Sequence, residues 1–373
     1  MEYLLILFIV IACSFMDIYV EDKKTRNLIY ALLCFILIIF AGTRFETGSD
    51  WPDYTSTFNN DVGTLKQLLN GTVSLSESRM ESGYIVVNSI VKSLGGSINE
   101  VFLIMAAITI PIIFKSCKRY TPYCFVAILL YLRYAYPQTN FMFVRQGLSI
   151  AVFLYSIRYI HEKSFLKYFI CITICVLFHK STLVLYPVYF IVNKEYKTSI
   201  LVILMGLSVI LGFTRWINFI TLFTPDVIDK SINSYLSAGM LAGISPAMIE
   251  KILVILVALI FRKKLSEKFK YFNIFLNLYV ISFMSYYSLI ESYVLQQRMV
   301  IIFNISGIIL ISYFIYLGNK KIIKALICVL IAAMVSVFFI KSVSLFNEDS
   351  DYVPYKSYIP MYIENIKDKL INQ

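Results

Sequence analysis

The segment from Arg44 to Tyr54, RFETGSDWPDY, follows directly on an apolar run and concentrates charged, aromatic and turn-forming side chains. A guanidinium such as that of Arg44 can bind a phosphate or diphosphate through paired N–H donors. A carboxylate such as Asp50 can accept a proton from a hydroxyl that lies within hydrogen-bond reach. The segment is therefore a candidate for charge-based chemistry, and apolar helices must hold it at a membrane surface.

Like Arg44, several other arginines lie near the ends of apolar runs. Arg145 differs from them because it lies inside such a run, with Gln146 and Gly147 beside it. At about 1.5 Å per residue, it lies only about 6 Å below the start of its helix. Each single arginine could equally reach up to lipid headgroups. The candidates for substrate binding are Arg44, Asp53, Tyr54, Glu81, Arg133, Arg145, Gln146, Arg215 and Arg298.

Two residues are candidates for a base that deprotonates a hydroxyl, and the sequence leaves both open. His179 ends an apolar run on the same side as these arginines, although a histidine there can also be purely structural. Asp50 is its rival, although Gly48-Ser49-Asp50 could equally form an Asx-type turn. Asp50 and Asp53 alone make a weak metal signal, so neither a metal nor another cofactor is expected.

The composition indicates a polytopic membrane protein. Of 373 residues, 59% are hydrophobic and only 15% are charged, whereas soluble domains carry about 25% charged residues. The net charge of +11 comes from Lys and Arg in short loops between apolar runs, a topological pattern that does not predict nucleic-acid binding. Nucleotide-binding motifs are missing, so a lipid-activated donor is the natural substrate.

Twelve apolar runs are long enough to be candidate membrane spans. The sixth and seventh are the shortest and could form one broken or re-entrant unit. The twelve lie near residues 2–20, 28–43, 99–117, 122–137, 141–160, 165–179, 181–193, 198–214, 246–261, 271–290, 298–317 and 322–341.

The basic residues predict the orientation of these spans. With twelve spans, every basic cluster falls on one side, which is therefore cytoplasmic, and both termini lie outside. The clusters begin at Lys23, Lys115, Arg158, Lys194, Arg262 and Lys320. The outer side then carries the loops 44–98 and 215–245 and the tail 342–373, and residues 84–94 could form an interfacial amphipathic helix. The whole chain, 1–373, is predicted to be one membrane domain.

Four motifs in the first 190 residues resemble the EpsG family of Wzy-type polysaccharide polymerases. They are GSDWPDY after Arg44, the segment from Glu81 to Asn88, FVRQGLSIAVFLYSIRYI at 143–160 and LFHKSTLVLYPVY at 177–189; Pro354-Tyr355-Lys356 adds a late one. The resemblance implies a multi-pass glycosyltransferase of GT-C-like architecture in the bacterial cytoplasmic (inner) membrane. Such an enzyme joins undecaprenyl-diphosphate-linked oligosaccharides, without a metal, into O-antigen, capsule or exopolysaccharide at the periplasmic face.

The resemblance and the residues together give a hypothesis for the site. Arg145 and Arg44 would hold the diphosphate, with Arg298 and Arg215 as secondary candidates, and His179 would be the base with Asp50 as its rival. Expected partners are the lipid-linked oligosaccharides, membrane lipids and a separate chain-length regulator. The alternatives are a flippase for the same lipid-linked sugars, an O-antigen ligase and an acyltransferase. The crowding of polar residues at one rim argues against a transporter, whose polar groups lie near the bilayer midplane.

Overall fold

A computed structural model describes residues 1–72, 80–214, 216–217, 246–347 and 350–360. The described residues are helical apart from turns, loops and one isolated β-bridge, so the all-α prediction is confirmed. The chain divides into two compact units, Met1–Leu183 with Gly318–Gln373 and Val184–Leu317. Arg215, the stretches 73–79 and 218–245, residues 348–349 and the tail 361–373 lie outside the described residues.

The first unit contains ten α-helices before residue 183, counted over its described residues. They are α1 (Glu2–Ser14), α2 (Met16–Tyr19), α3 (Lys23–Gly42), α4 (Trp51–Ser56), α5 (Leu65–Leu69), α6 (Ser82–Ser93), α7 (Ile98–Tyr120), α8 (Cys124–Tyr134), α9 (Val144–His161) and α10 (Phe165–Phe178). Two π-helical turns, Thr57–Asp61 and Gln138–Met142, follow α4 and α8, and a 3-10 helix, Lys180–Leu185, follows α10. The chain later returns to this unit as the helix Lys321–Ser342.

The second unit is built around the helix Phe272–Ser288. Its other described elements are Val188–Ile191, Thr198–Phe213, Pro246–Ile260, Arg262–Lys268, Tyr293–Asn304, Ser306–Ser312 and the 3-10 helix Tyr313–Leu317. One buried cation is satisfied inside it, because Lys251 Nζ donates to Ser282 Oγ and to Asn304 Oδ1, both at 2.6 Å. An apolar cavity of about 570 Å³ also lies in this unit, alongside Met284.

Four described helices are long and apolar enough to cross a membrane, which agrees with a membrane protein. They are Glu2–Tyr19 (α1 with α2), α3, α7 and Lys321–Ser342; Tyr293–Asn304 with Ser306–Leu317, bent by 43°, makes a fifth. The other predicted spans coincide with shorter helices, and 181–193 is broken into a 3-10 helix and one four-residue turn of α-helix. Pro187 lies at this break and lacks the N–H that a continuous helix needs. The count of twelve spans stays a prediction.

Helix α6 matches the helix predicted for 84–94. Tyr84, Asn88 and Val91 lie on its buried face, which packs toward α7 and α10. This helix therefore belongs to the body of the first unit, and its position in a membrane interface stays a prediction.

The segment after α3 is attached to the tail of the chain. An antiparallel bridge joins Arg44 to Ser357, and the Gly48 N–H donates to Asp351 O at 2.7 Å. Gly48 has φ +100°, and a Cβ on it would lie 2.1 Å from Phe141 O. Only glycine fits this position without a shift of the backbone.

The start of α9 packs tightly against its neighbours. A Cβ on Gly147 would lie 2.2 Å from Thr139 O, in the π-helical turn that precedes α9. Two bonds then join α9 to α10, because Ser149 Oγ donates to Cys175 O at 2.8 Å and Cys175 Sγ donates to Ser149 O at 3.2 Å. Gly147 in the Arg-Gln-Gly motif is thus explained by close packing.

Replacing Gly147 by Ala should destabilise the protein by about 1 to 3 kcal/mol, because the added methyl group forces the backbone apart. Gly206→Ala is the matched control, since a Cβ on Gly206 has no atom within 4 Å. Alanine favours a helix by about 1 kcal/mol over glycine, so this control should be neutral or stabilising. Melting temperatures of the purified proteins in detergent test this, and equal effects of the two changes would contradict the packing argument.

Candidate functional site

Glu81, Arg145 and His179 meet in the first unit. Arg145 Nη1 donates to Glu81 Oε2, and His179 Nδ1 lies 3.4 Å from Glu81 Oε1. The backbone N–H of Lys180 also donates to Glu81 Oε1, at 3.2 Å. The side chains of Glu81, His179 and Arg145 are 9%, 12% and 20% exposed, so this cluster is largely withdrawn from water.

The local backbone explains why these side chains come together. Helix α10 ends at Phe178, and the extended backbone of the next residue, His179 (φ −158°, ψ 110°), turns the N–H of Lys180 toward Glu81. Glu81 immediately precedes α6, and a Cβ on Gly83 would lie 2.8 Å from Leu177 O. Glycine at 83 therefore allows the start of α6 to approach the end of α10.

The Glu81 carboxyl is held in its ionised form. Burial raises its pKa, but the imidazole of His179, the charge of Arg145 and the N–H of Lys180 together lower the pKa more strongly, from 4.5 to about 2. A carboxylate with so low a pKa is a poor proton acceptor near neutral pH. Glu81 therefore acts as an anion that holds its partners, and the assignment of the base stays between His179 and Asp50.

Three buried atoms of the cluster have no hydrogen-bond partner among the described residues: Arg145 Nε, His179 Nδ1 and His179 Nε2. His179 Nδ1 lies near Glu81 Oε1 without hydrogen-bond geometry. A buried donor or acceptor without a partner costs free energy, so these positions favour a polar ligand. The arrangement can thus hold an anion with the remaining donors of Arg145 and accept a proton at His179.

Aromatic rings lie beside the cluster. The guanidinium carbon of Arg145 is 5.9 Å from the ring centroid of Tyr54, and the rings of Tyr54 and Tyr84 lie 5.4 Å apart. Tyr54 also contacts Phe102 edge-on, with ring centroids 5.7 Å apart. These rings exclude water on one side of Arg145, which strengthens its interaction with any anion.

Arg44 lies on the other side of this aromatic group and is buried. Its Nη1 donates to Ala41 O at 3.1 Å, its Nε donates to Thr47 O at 3.2 Å, and its guanidinium carbon is 3.9 Å from the ring centroid of Phe102. Only 1% of the residue is exposed, and Nη2 has no hydrogen-bond partner among the described residues. Most of the observed contacts of Arg44 thus stabilise the backbone that follows α3.

The other predicted site residues have different surroundings. Asp50 precedes α4 and accepts from Ser49 Oγ at 3.3 Å, and Asp53 is exposed. The guanidinium carbon of Arg133 lies 4.0 Å from the ring centroid of Phe338. Gln146 is buried at the start of α9, Arg298 lies in the second unit, and Arg215 lies outside the described residues.

Sequence reasoning named Glu81 as one carboxylate among several and missed its central position. It also missed Gly83 as a packing residue and Lys180 as a backbone donor. The available signal was the short spacing of Glu81 and Gly83 immediately before an amphipathic helix. A carboxylate at a helix start commonly contacts nearby N–H groups, but partners that are distant in the sequence cannot be identified from the residues around it.

Apolar helices and a buried cluster of one carboxylate, one guanidinium and one imidazole define a membrane protein with a charged site. The family model of the EpsG family matches residues 27–357, and the chain belongs to this family. The family indicates a polymerase role in polysaccharide biosynthesis. No curated protein and no solved structure matches the chain. The match covers Glu81, Arg145 and His179, and it includes the stretch 198–340, where sequence motifs gave little information.

The Glu81–Arg145 pair should behave as a coupled unit in stability measurements. Arg145→Gln leaves a buried carboxylate without its main counter-charge, which we expect to cost about 3 kcal/mol. Adding Glu81→Gln should recover part of this loss, because neither charge is then left uncompensated. A double-mutant cycle of melting temperatures measures the coupling. Strictly additive losses would show that the two side chains do not stabilise each other.

The stabilisation by Glu81 should depend on pH with a defined sign. Because folding lowers the pKa of this carboxyl from 4.5 to about 2, its contribution is complete above about pH 4.5 and is lost as the pH falls toward 2. The difference in melting temperature between the native protein and Glu81→Gln should therefore be constant near neutral pH and shrink in acid. A difference that is unchanged at pH 3 would exclude stabilisation by the ionised form.

Proposed function

We propose that this protein polymerises undecaprenyl-diphosphate-linked oligosaccharide repeat units at the outer face of a bacterial cytoplasmic membrane. The growing glycan is the donor, and a sugar hydroxyl of an incoming lipid-linked unit is the acceptor. The observation that carries the proposal is the buried Glu81–Arg145–His179 cluster in a chain of the EpsG family. The product is O-antigen, capsule or exopolysaccharide.

Arg145 is assigned to the diphosphate of the donor. One of its N–H groups is used on Glu81, and its buried Nε has no partner among the described residues, so donors remain for an anion. A guanidinium in a site of low dielectric stabilises the charge that develops on the departing diphosphate. Because Glu81 already orients the side chain, little reorganisation is needed when the donor binds.

His179 is assigned as the base, oriented by Glu81. The acceptor oxygen attacks the anomeric carbon as the bond from that carbon to the diphosphate oxygen breaks. The hydroxyl proton passes to His179 Nε2, while the Nδ1 side faces Glu81 at 3.4 Å. The undecaprenyl diphosphate leaves with the electron pair of the broken bond. A carboxylate that orients an imidazole in this way is a recurrent arrangement in acid–base catalysis.

The remaining predicted residues receive secondary roles in the proposal. Asp50 is the rival base, and Asp53, Tyr54 and Gln146 are candidates for contacts to the sugars. Arg44 positions the segment that carries Asp50, since its donors bind the carbonyl of Ala41 in the last turn of α3 and the carbonyl of Thr47 in the loop that follows. Arg133, Arg215 and Arg298 are secondary cations in this proposal. The GT-C-like architecture, a periplasmic site and a chain-length regulator as partner belong to the same proposal.

Deletion of the coding sequence in the native strain tests the function, with surface polysaccharide separated on a gel. Loss of a polymerase should leave surface material that carries a single repeat unit, because export and attachment of the unit continue. Complementation with the native sequence should restore the ladder of longer chains. Loss of even the single repeat would overturn the proposal and favour a flippase or a ligase.

Single substitutions then test the assigned roles in complemented cells. Arg145→Ala should abolish most of the polymer and Arg145→Lys should restore only part of it, since a charge-assisted contact contributes about 1.5 to 3 kcal/mol. His179→Gln should abolish polymer if it is the base, whereas Asp50→Asn should then leave substantial activity. The reverse result would assign the base to Asp50.

Asp61→Asn is the control for these substitutions, because Asp61 is an exposed carboxylate of the same segment. It should leave the ladder unchanged. Membrane levels of each variant are compared by immunoblot, so that loss of activity is distinguished from loss of protein. An unchanged ladder in Arg145→Ala at normal protein level would remove Arg145 from the mechanism.

A further inference from the structure

A polar cleft of about 760 Å³ lies in the first unit, apart from the Glu81 cluster. Its walls come from two parts of the chain that are far apart in sequence, the segment after α3 and the tail near residue 351. The lining includes Glu46, Trp51, Asn59, Asn60, Asp351 and Lys356. The volume is within the range of about 300 to 1,000 Å³ that is typical of small-molecule sites.

The walls of the cleft are fixed by specific bonds. The Gly48 N–H binds Asp351 O at 2.7 Å, and the Phe45 N–H binds Lys356 O at 2.9 Å. These backbone hydrogen bonds hold the tail against the segment after α3, so both walls of the cleft have fixed positions relative to each other.

The amine of Lys92 fixes the π-helical turn that carries Asn59 and Asn60. Lys92 Nζ donates to Phe58 O at 2.9 Å, to Asn59 O at 3.2 Å and to Val62 O at 2.6 Å. Three carbonyls at the end of a helical turn form a favourable site for a cation. The two amide side chains are therefore exposed on a backbone that is locally rigid.

The chemistry of the lining fits a carbohydrate. Trp51 is half-buried and is braced from behind by Phe102 and Phe45, with ring centroids 5.0 and 5.5 Å away. An aromatic ring offers a flat apolar surface for the C–H face of a sugar, and amides offer both donors and acceptors for its hydroxyls. Asn59 and Asn60 supply two such amides at the same cleft.

Helix α4 connects this cleft with the Glu81 cluster. Tyr54 lies on its buried side next to Arg145, and the adjacent residue, Thr55, lines the cleft. A glycan that occupies the cleft is thus bound by the same short helix that borders the candidate reaction centre.

We propose that this cleft binds a stretch of the oligosaccharide several bonds away from the reacting sugar. The inference rests on the proposed function for the identity of the glycan, but the binding itself can be measured separately. Binding there retains the growing chain, or orients the incoming unit, by contacts that do not involve the diphosphate.

The charged residues that line the cleft favour binding of a glycan without acidic sugars. Lys356 Nζ pairs with Glu46 Oε2 at 3.0 Å, which leaves Asp351 as the remaining charge among the lining residues. A net negative lining repels uronic acids and other anionic sugars. The preferred ligand is therefore a neutral or amino-sugar oligosaccharide.

The test uses the full-length protein in nanodiscs and a lipid-free oligosaccharide of two or more repeats, released from the polysaccharide of the native strain. Calorimetry measures its binding to the native protein and to the double variant Asn59→Ala/Asn60→Ala. We expect the double variant to bind at least about tenfold more weakly, since it loses several hydrogen bonds. Trp51→Ala should weaken binding more than Trp51→Phe, which keeps an aromatic surface.

Two controls separate this proposal from the proposed function. Lys66→Ala removes an exposed side chain of α5 that does not line the cleft, and it should not change binding. Arg145→Gln should also retain binding of the lipid-free glycan, because this probe has no diphosphate. Loss of binding in Arg145→Gln, measured at a temperature well below the melting temperature of that variant, would place the glycan at the Glu81 cluster and overturn the proposal.

The outcomes are distinguishable. If the deletion strain behaves as a polymerase mutant but the protein binds no lipid-free glycan, or binds it equally well in the Asn59/Asn60 variant, the cleft proposal is wrong and the function stands. If the deletion argues against a polymerase while the Asn variant still loses glycan binding, the cleft stands alone. A uronic-acid oligosaccharide that binds as tightly as a neutral one of equal length would overturn the charge argument.

Discussion

The withdrawal of the Glu81 carboxylate from water is the constraint on which the candidate site depends. An ionised carboxylate is stable in a buried position only when cations and N–H donors replace its water. Here two chain segments supply them: α9 through Arg145, and the end of α10 through the imidazole of His179 and the N–H of Lys180. Satisfying one anion thus brings together elements that are remote in the sequence. Glycines 83 and 147 remove side chains where these elements pack most closely.

Arg44 and Arg145, both in the first unit, are stabilised in different ways. Arg145 is paired with an anion and keeps donors that the described residues do not use. Arg44 instead binds two backbone carbonyls, and its flat face lies on Phe102. Carbonyls in the last turn of a helix, such as that of Ala41 in α3, carry partial negative charge, so they can hold a cation without a carboxylate. Arg44 also keeps one donor, Nη2, that the described residues do not use, but it is almost fully buried. Arg145, whose side chain is 20% exposed, is the more accessible of the two to an additional anion.

Much of the helical architecture could be predicted from the sequence, because long apolar runs with few charges form helices in either a membrane or a protein core. The site was harder to predict, because Glu81 is separated by 64 residues from Arg145 and by 99 from Lys180. The arginines near helix ends looked alike in sequence. The tertiary neighbours differ, since Arg145 pairs with the Glu81 carboxylate and Arg133 lies on the ring of Phe338. Such neighbours depend on how helices pack, which periodicity does not encode.

A pre-existing ion pair has a further consequence for the reaction that is proposed. A lone buried guanidinium would pay a large desolvation cost and would move to reach water between turnovers. Glu81 removes both problems, because it neutralises Arg145 in the resting state and keeps its side chain in place. An entering diphosphate carries more negative charge than the single carboxylate, and it can use donors that Glu81 leaves unoccupied. In the proposed reaction, the site is thus preorganised for the charge of the leaving group, and the electrostatic stabilisation is available when the glycosidic bond forms.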